Sequence, residues 1–276
     1  MSMERIGRYV VTRFLIQTAF ARLYLAADMQ LGRSVVIKVF AVDNDAPEPP
    51  FSRDEWRRRF VAEGRIMARL DHPHILAIHE TGSLDDGIPF HVLPLMACNL
   101  PRLIGFDAPE SVIPSLPEEE RPKSLPLAEC LPILRGVLAA LAYLHARRII
   151  HRDVKPNNVL LSARESGVAK LCDFGFARVG EAADTDPRAW IGTPDFISPE
   201  QAQGAGGVSD RTDVYSAGVL AYRMLSGRLP SVPGVGLPSD LPPWLADLVM
   251  AAMAAEPSRR PSAEEMLRWL ISGARP

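Results

Sequence analysis

The sequence predicts an α+β protein with two lobes, a strand-rich N-terminal lobe over residues 1–96 and a mainly helical C-terminal lobe over residues 97–276. The first third contains short runs of β-branched and aromatic residues separated by turn signals, with one helical stretch among them. The remainder contains long segments with apolar residues every three or four positions. Because strands and helices are segregated along the chain, we expect one bilobal domain with a cleft between its lobes.

The first lobe is predicted to contain five strands, at residues 9–14, 21–26, 34–40, 75–79 and 90–95. One helix interrupts them over residues 54–70. Its predicted inner face consists of residues spaced by three or four, namely Trp56, Phe60, Glu63, Met67 and Leu70.

The second lobe opens with a proline- and acid-rich stretch at residues 101–126, which we interpret as a surface excursion. A long helix is predicted over residues 127–148, because its apolar positions form one continuous face. Two short strands are predicted at 159–161 and 169–172, and further helices at 213–225, 243–254 and 262–271.

Composition excludes several classes of protein. The formal net charge is −2, from 31 basic and 33 acidic residues, which does not suggest nucleic-acid binding. No apolar run approaches the roughly 20 residues of a membrane helix, and residues 1–13 lack a signal-peptide core. The three cysteines are far apart in sequence and form no metal motif. We therefore expect a cytoplasmic protein without a membrane segment.

The residues richest in chemistry form the run HRDVKPNN at 151–158, followed fifteen residues later by DFG at 173–175. Carboxylate and amide oxygens in loops after strands are the hard ligands that Mg²⁺ prefers, with bound phosphates completing the shell. Asp153 supplies a further carboxylate that could accept a proton from an alcohol. These residues indicate divalent-cation and phosphate chemistry.

In this order the motifs resemble those of the eukaryotic-type protein kinase family, in its bacterial Ser/Thr form. The motifs are VVIK at 35–38, HRDVKPNN at 151–158, DFG at 173–175 and SPE at 198–200. The resemblance runs from about residue 7 to residue 269. It implies the two-lobed kinase fold, a nucleotide cleft, and transfer of the ATP γ-phosphoryl group to a protein hydroxyl. We also expect the chain itself to be among the candidate protein substrates.

The resemblance assigns roles to individual residues. It implies that Asp153 is the catalytic base, that Lys155 steadies the transferred phosphoryl group, and that Lys38 binds the α- and β-phosphates. The metal ligands are implied to be Asn158 and Asp173, holding Mg²⁺ with Mn²⁺ as the alternative.

Glu63 is predicted to hold Lys38. The sequence supports this pair independently, because a carboxylate on a packing helix face is costly without a partner. The resemblance further implies a nucleotide pocket lined by Ile16, Leu23, Val36, Leu93, Pro94, Met96 and Leu160.

Other matched positions are architectural or regulatory. Glu200 is implied to pair with Arg260, and Asp213 to accept hydrogen bonds from the catalytic-loop backbone. A hydrophobic stack is implied to contain Met67, Ile78, His151 and Phe174. For regulation, a phosphate on Thr185 would dock on Arg152 and Arg178 and order the loop. The alternative is that neighbouring aspartates already fill the basic pocket.

Two departures from the family pattern stand out. The three expected glycines of the phosphate loop are replaced by Ile16, Thr18 and Ala21, although Phe20 remains at the loop tip. Glycine lets a backbone approach phosphate closely, so we expect weaker phosphate contact here. Val36 adds bulk where the motif has alanine. In addition, only ten residues lie between Pro230 and Leu241, where the family usually places a helix.

These departures leave two hypotheses open, an active Ser/Thr kinase with an unusual loop and a pseudokinase scaffold with weak or absent nucleotide binding. The complete set of metal ligands and base favours the active kinase, whereas the missing glycines favour the scaffold. A small-molecule phosphotransferase is disfavoured by GTP at 192–194 and SPE at 198–200, which resemble the peptide-binding segment. Tyrosine as the acceptor is disfavoured by Lys155-Pro156, which match the Ser/Thr pattern.

Overall fold

The computed structural model describes residues 5–42, 51–163, 167–180, 193–204 and 207–273. The chain divides into two compact units, the first from Met1–Asp71 and Leu76–Leu95 and the second from His72–Ile75 and Met96–Pro276. The observed division after Leu95 lies one residue from the predicted boundary. The assignment of residues 72–75 to the second unit was not anticipated.

The first unit, within its described residues, contains a six-stranded antiparallel sheet of order β1-β2-β3-β4-β6-β5. Its apolar face buries side chains such as Tyr9, Val35, Ile37 and Val92. The helix α1 (Arg53–Met67) begins where the Ser52 side chain accepts a hydrogen bond from the Glu55 N–H, and it packs against β6. The strands are β1 (Arg5–Ile6), β2 (Tyr9–Gln17), β3 (Ala21–Asp28), β4 (Arg33–Phe40), β5 (Glu80–Ser83) and β6 (Pro89–Pro94).

The strand predicted at residues 75–79 is wrong. The fifth strand lies instead at Glu80–Ser83, and Ile75 makes only an isolated bridge to Leu171 in the second unit. Ile75 and Leu76 are buried. Their apolar character therefore reflects packing of an irregular segment rather than a ladder, because a short apolar run does not by itself specify a strand.

The second unit is mainly helical, and α3 and α5 supply much of its core. Its strands form the small sheets β10-β9-β7 and β11-β8 among the described residues. The helices are α2 (Pro101–Ile104), α3 (Leu127–His145), α4 (Pro199–Ala202), α5 (Asp210–Ser226), α6 (Pro243–Ala252) and α7 (Ala263–Ser272). The strands are β7 (Cys98–Asn99), β8 (Ile149–Ile150), β9 (Val159–Leu161), β10 (Ala169–Leu171) and β11 (Arg178–Val179).

One described helix, α3, is long and apolar enough to cross a membrane by length and composition. It packs against α5, α7 and β10 of its own unit. A core helix passes the same test of length and hydropathy, and these contacts account for the apolar face of α3.

The stretch at residues 101–126 is more ordered than a surface excursion. It contains α2 and two 3₁₀ turns, and it is fixed to α5 by the fully buried Arg223. The Arg223 guanidinium donates to the Asp107 carboxylate at 2.5 Å and to the Ile104 carbonyl at 3.0 Å. A buried arginine needs such partners, so the predicted excursion is correct for its exposed residues only.

Between α5 and α6 the chain forms no helix, and all of residues 227–242 are described. Leu229 and Val232 pack with Phe196, and the Tyr222 hydroxyl donates to the Val235 carbonyl at 2.6 Å. The shortened segment predicted from the sequence is therefore present, and it covers part of the surface next to α5.

Candidate active site

The first unit contains a buried ion pair between β4 and α1. The Lys38 Nζ donates to both carboxylate oxygens of Glu63 at 2.8 Å. The two residues are only 7% and 2% exposed. Buried charges are stable only when paired, so the predicted pair is confirmed as a contact, and α1 places Glu63 to make it.

The turn between β2 and β3, which lacks glycine, is closed by Thr18. The Thr18 N–H donates to the Ala21 carbonyl at 2.8 Å, and the Thr18 hydroxyl donates to the same carbonyl at 3.0 Å. The Ala21 N–H in turn donates to the Thr18 hydroxyl at 3.1 Å. Two backbone N–H groups of the turn are thus bonded within the turn itself.

The aromatic residue of this turn, Phe20, is buried. Its ring stacks on Trp56 of α1, with centroids 4.5 Å apart and planes 11° apart. The Lys38 Nζ lies 5.1 Å from the centroid of the Phe20 ring, within the range of a cation–π contact. The turn is therefore attached to α1 and to Lys38 by a side chain, a feature that the sequence motif did not predict.

Five of the seven residues expected to line a nucleotide pocket lie on neighbouring strands in the first unit. Ile16 pairs with Leu23, and Val36 of β4 pairs with Leu93 of β6. Ile16 is 54% exposed, while Leu93 is buried. The other predicted members are Pro94, which pairs with Val35, and in the second unit Met96, before β7, and Leu160, in β9. Their role in binding stays a prediction.

The second unit is organised around the fully buried Asp213 of α5. Its carboxylate accepts hydrogen bonds from the backbone N–H groups of His151 at 2.8 Å and Arg152 at 2.7 Å, and from the His145 ring at 2.8 Å. Burial alone would raise the pKa of Asp213, but these hydrogen bonds, with that from His145 the largest, hold the pKa below its ordinary value. The predicted role of Asp213 is confirmed, whereas its contact with His145 was missed.

The candidate base Asp153 is 4% exposed and is held on three sides. One carboxylate oxygen accepts from the Asn158 amide at 2.8 Å and lies 2.8 Å from the Lys155 Nζ. The other accepts from the Thr193 hydroxyl at 3.2 Å, and Lys155 also donates to that hydroxyl at 2.7 Å. The structure thus joins three predicted residues and adds Thr193, whose contact with the base the sequence analysis missed.

Asn158 and Asp173 are brought together by the backbone. The Cys172 N–H donates to the Asn158 carbonyl at 2.9 Å, and Asp173 follows with a left-handed φ of 65°. The Asn158 amide nitrogen is directed at Asp153, so its side-chain oxygen faces the other way. One carboxylate and one amide oxygen fit Mg²⁺, which usually keeps water and phosphate ligands besides one or two protein groups.

His151 connects this loop to the DFG segment. Its Nε2 donates to the Cys172 carbonyl at 3.1 Å. Its ring packs edge-on against the Phe174 ring, with the ring centroids 5.0 Å apart. These two members of the predicted hydrophobic stack are in contact. Met67 and Ile78 lie in the first unit, Met67 buried and Ile78 half-buried.

The predicted pair between Glu200 and Arg260 is confirmed. The guanidinium donates to the two carboxylate oxygens at 2.7 and 2.8 Å. Partial burial tends to raise the pKa of Glu200, but the hydrogen bonds from Arg260 hold it below its usual value. This bidentate pair fixes α4, whose first residues belong to the SPE motif.

The sequence profile of the protein kinase domain matches residues 9–270. The chain belongs to the protein kinase family. This match spans most of the first unit, residues 151–158 and most of the last helix, so the predicted family and fold class are confirmed.

Several bacterial kinases are similar to this kinase. It is 36% identical over 229 residues to serine/threonine-protein kinase pkn2 of Myxococcus xanthus, covering 81% of this chain and 25% of the relative. It is 32% identical over 270 residues to PknA of Mycobacterium tuberculosis, covering 92% of this chain and 58% of the relative. The chain thus spans between a quarter and about three fifths of these relatives.

The fold is also similar to a solved kinase domain. A double mutant of the PknI kinase domain from Mycobacterium tuberculosis superimposes with a TM-score of 0.69 at 26% identity, covering 99% of this chain and 98% of that one. The α+β kinase fold predicted from the sequence is therefore shown.

The predicted regulatory residues of this kinase are only partly described, because Thr185 lies outside the described residues. Arg152 is buried, and its Nε donates to the Phe176 carbonyl at 2.7 Å, while Gln201 donates to the Arg152 carbonyl at 3.0 Å. Arg178 donates to the Val208 carbonyl at 2.6 Å. Docking of a phosphate on these arginines stays a prediction.

Proposed function

We propose that this chain is the catalytic domain of a Ser/Thr protein kinase, which transfers the γ-phosphoryl group of ATP to a hydroxyl of a protein substrate. The observation that carries the proposal is the arrangement around Asp153. Its carboxylate is oriented by Asn158, Lys155 and Thr193 within one short loop and its neighbouring segment. A base fixed in this way is what a positioned proton transfer requires.

In the proposed reaction, the substrate oxygen forms a bond to the γ-phosphorus, the bond to the β–γ bridging oxygen breaks, and ADP leaves. Asp153 accepts the hydroxyl proton on the carboxylate oxygen that contacts Thr193. This contact, at 3.2 Å, is longer than the two 2.8 Å contacts of the other oxygen, and each carboxylate oxygen has a second lone pair. Lys155 lies beside it and supplies positive charge where negative charge develops. The Lys155-Pro156 sequence supports serine or threonine as the acceptor.

Nucleotide and metal are assigned to separate groups of residues. Lys38, held by Glu63, would bind the phosphates, and Asn158 with Asp173 would hold Mg²⁺, or Mn²⁺ in its place. A bound cation would offset the negative charge of the phosphates. Among the apolar residues predicted from the sequence, those of the first unit are assigned to the adenine, namely Ile16, Leu23, Val36, Leu93 and Pro94.

The scaffold alternative is not favoured. A module that only binds partners does not need an oriented base together with a buried lysine–carboxylate pair and two metal ligands. The relatives are named as Ser/Thr protein kinases. The closed turn at Thr18 accounts for the missing glycines structurally, so their absence does not require a loss of function.

Partners and location are further parts of the proposal. We infer protein substrates that include the chain itself, no nucleic-acid partner, and a cytoplasmic location. The three cysteines are free thiols, as in a reducing compartment. Burial raises the pKa of the Cys130 thiol to about 12, so it has a structural rather than a reactive role.

The decisive experiment is phosphate transfer by wild type and Asp153→Asn. Radiolabelled transfer to a generic basic protein should fall by about 10²–10⁴-fold in the variant, the usual contribution of a positioned base, while circular dichroism stays unchanged. Asp247→Asn, which removes an exposed carboxylate on α6, is the matched control and should keep wild-type turnover. Thermal unfolding with ATP should show stabilisation that depends on Mg²⁺. Equal turnover by Asp153→Asn would remove this residue from the mechanism.

A further inference from the structure

A buried histidine in the first unit, His91, is not used by the proposed chemistry. It is 3% exposed and lies on β6 directly opposite Lys38 on β4. Cross-strand partners project from the same face of a sheet. Lys38 and His91 therefore both project towards α1.

The contacts of His91 with α1 are specific. Its Nε2 donates to the Phe60 carbonyl at 2.9 Å, and its ring stacks on the Phe60 ring with centroids 4.2 Å apart and planes 9° apart. The ring also approaches Gly64 closely. A Cβ added at Gly64 would come within 2.5 Å of the imidazole Cε1, and glycine alone permits this approach.

We propose that His91 is a positioning residue that sets the distance between α1 and the sheet, so that Glu63 can hold Lys38. Both strands contact α1. His91 of β6 bonds the Phe60 carbonyl, and Lys38 of β4 bonds the Glu63 carboxylate, three residues further along the helix. Gly64, one helical turn after Phe60, leaves room for the His91 ring. The inference rests on the proposed kinase function, because it concerns how the phosphate-binding lysine is placed.

The surroundings of His91 keep its ring neutral. Because Nε2 carries the hydrogen given to the Phe60 carbonyl, a second proton would have to reside on the buried Nδ1, on the same side of the sheet as the Lys38 ammonium. Burial first, and then the nearby Lys38 charge, lower the pKa of His91 to about 4. The positioning contact is therefore made by a neutral imidazole at neutral pH.

Steady-state kinetics of His91→Leu and His91→Gln test the proposal. Leucine removes the donor and glutamine retains one, so His91→Leu should raise the KM for ATP about fivefold, as expected for one lost hydrogen bond. The kcat and the KM for the protein substrate should stay within about twofold, because ground-state and transition-state binding are lost together. Glutamine should restore most of the loss. His79→Leu, an exposed histidine of the same unit, is the control.

A second measurement does not depend on activity. The chain has four lysines, so limited acetylation followed by peptide mass spectrometry resolves Lys38 from Lys123 and Lys170 as internal references. Lys38 should react slowly in wild type, several times faster in His91→Leu and slowly again in His91→Gln. Gly64→Ala should behave like His91→Leu, because the added methyl displaces the ring.

The outcomes separate the two proposals. Wild type that transfers no phosphate overturns the proposed function, while the acetylation rates still decide the role of His91. An active wild type with unchanged Lys38 reactivity and unchanged KM for ATP in His91→Leu overturns the positioning role. A lower kcat at constant KM would also overturn it, since that result means only that fewer molecules are folded.

Discussion

Replacing Asp213 with asparagine tests how the catalytic loop is held. In the native protein one oxygen accepts from Arg152 and the other accepts from both His151 and His145. An asparagine amide nitrogen placed at the first position faces one N–H donor, and at the second position it faces two. The first orientation is therefore preferred. In it the variant loses the hydrogen bond from the Arg152 N–H, because that N–H then faces the amide NH₂ group, which is also a donor.

The magnitude follows from this geometry. A hydrogen bond to a charged group contributes about 1.5–3 kcal/mol, and an unsatisfied buried donor costs about 1–3 kcal/mol. These two figures describe the same Arg152 contact and are not added together. The hydrogen bonds from His151 and His145 remain, but their acceptor is no longer charged. We therefore expect Asp213→Asn to lower the free energy of unfolding by roughly 2–4 kcal/mol. This is a large fraction of a typical total of about 5–15 kcal/mol.

Urea unfolding of wild type and Asp213→Asn, followed by circular dichroism, measures this loss. Asp210→Asn is the matched control, because Asp210 lies on the same helix with an exposed side chain, and it should change stability by less than about 0.5 kcal/mol. The folded fraction of Asp213→Asn should also lose kcat, since His151 and Arg152 precede the base. A variant as stable as the control would refute the reasoning that these three hydrogen bonds hold the loop.

Three further predictions follow from other parts of the structure. Thr18→Val keeps the shape but removes the hydroxyl that bonds Ala21, so the KM for ATP should rise about three- to tenfold, whereas Thr18→Ser should be close to wild type. The pKa of His91 is about 4 in the folded protein and 6.5 in the unfolded chain, so the unfolded chain takes up a proton first as the pH falls. The free energy of unfolding should therefore fall by about 3 kcal/mol between about pH 6.5 and pH 4. In urea titrations His91→Leu should flatten this dependence. If Thr185 is a self-phosphorylated switch, mass spectrometry should find its phosphate in wild type but not in Asp153→Asn, and Thr185→Ala should lose activity; activity equal to wild type would rule the switch out.

Much of the fold could be predicted because periodicity and burial agree along most of the chain. The strand at Val159–Leu161 has the predicted bounds, and the long helix ends at His145, three residues before its predicted end. Prediction failed at residues 75–79, where an apolar run packs as irregular chain and the strand forms beyond it. Periodicity reports burial, and burial alone does not distinguish these cases.

The candidate site could be predicted where the chemistry itself demands a partner. Glu63 on an apolar helix face requires a cation, and the structure supplies Lys38. Thr193 and His91 could not be found in this way. A hydroxyl is tolerated in many environments, and a histidine among apolar residues carries no periodic signal for a partner. Their contacts depend on the tertiary approach of separate segments, which one sequence does not specify.

The turn at Thr18 shows why a missing motif need not mean a missing function. Glycine in such a loop supplies conformational freedom and room for close approach. Here the turn needs neither for its own closure, because the Thr18 hydroxyl bonds both polar backbone groups of Ala21, and the Phe20 ring anchors the turn on Trp56. A turn fixed in this way offers fewer free N–H groups to phosphate. If Lys38 binds the phosphates as proposed, it then carries more of that contact, and the accuracy with which α1 places Glu63 becomes correspondingly more important.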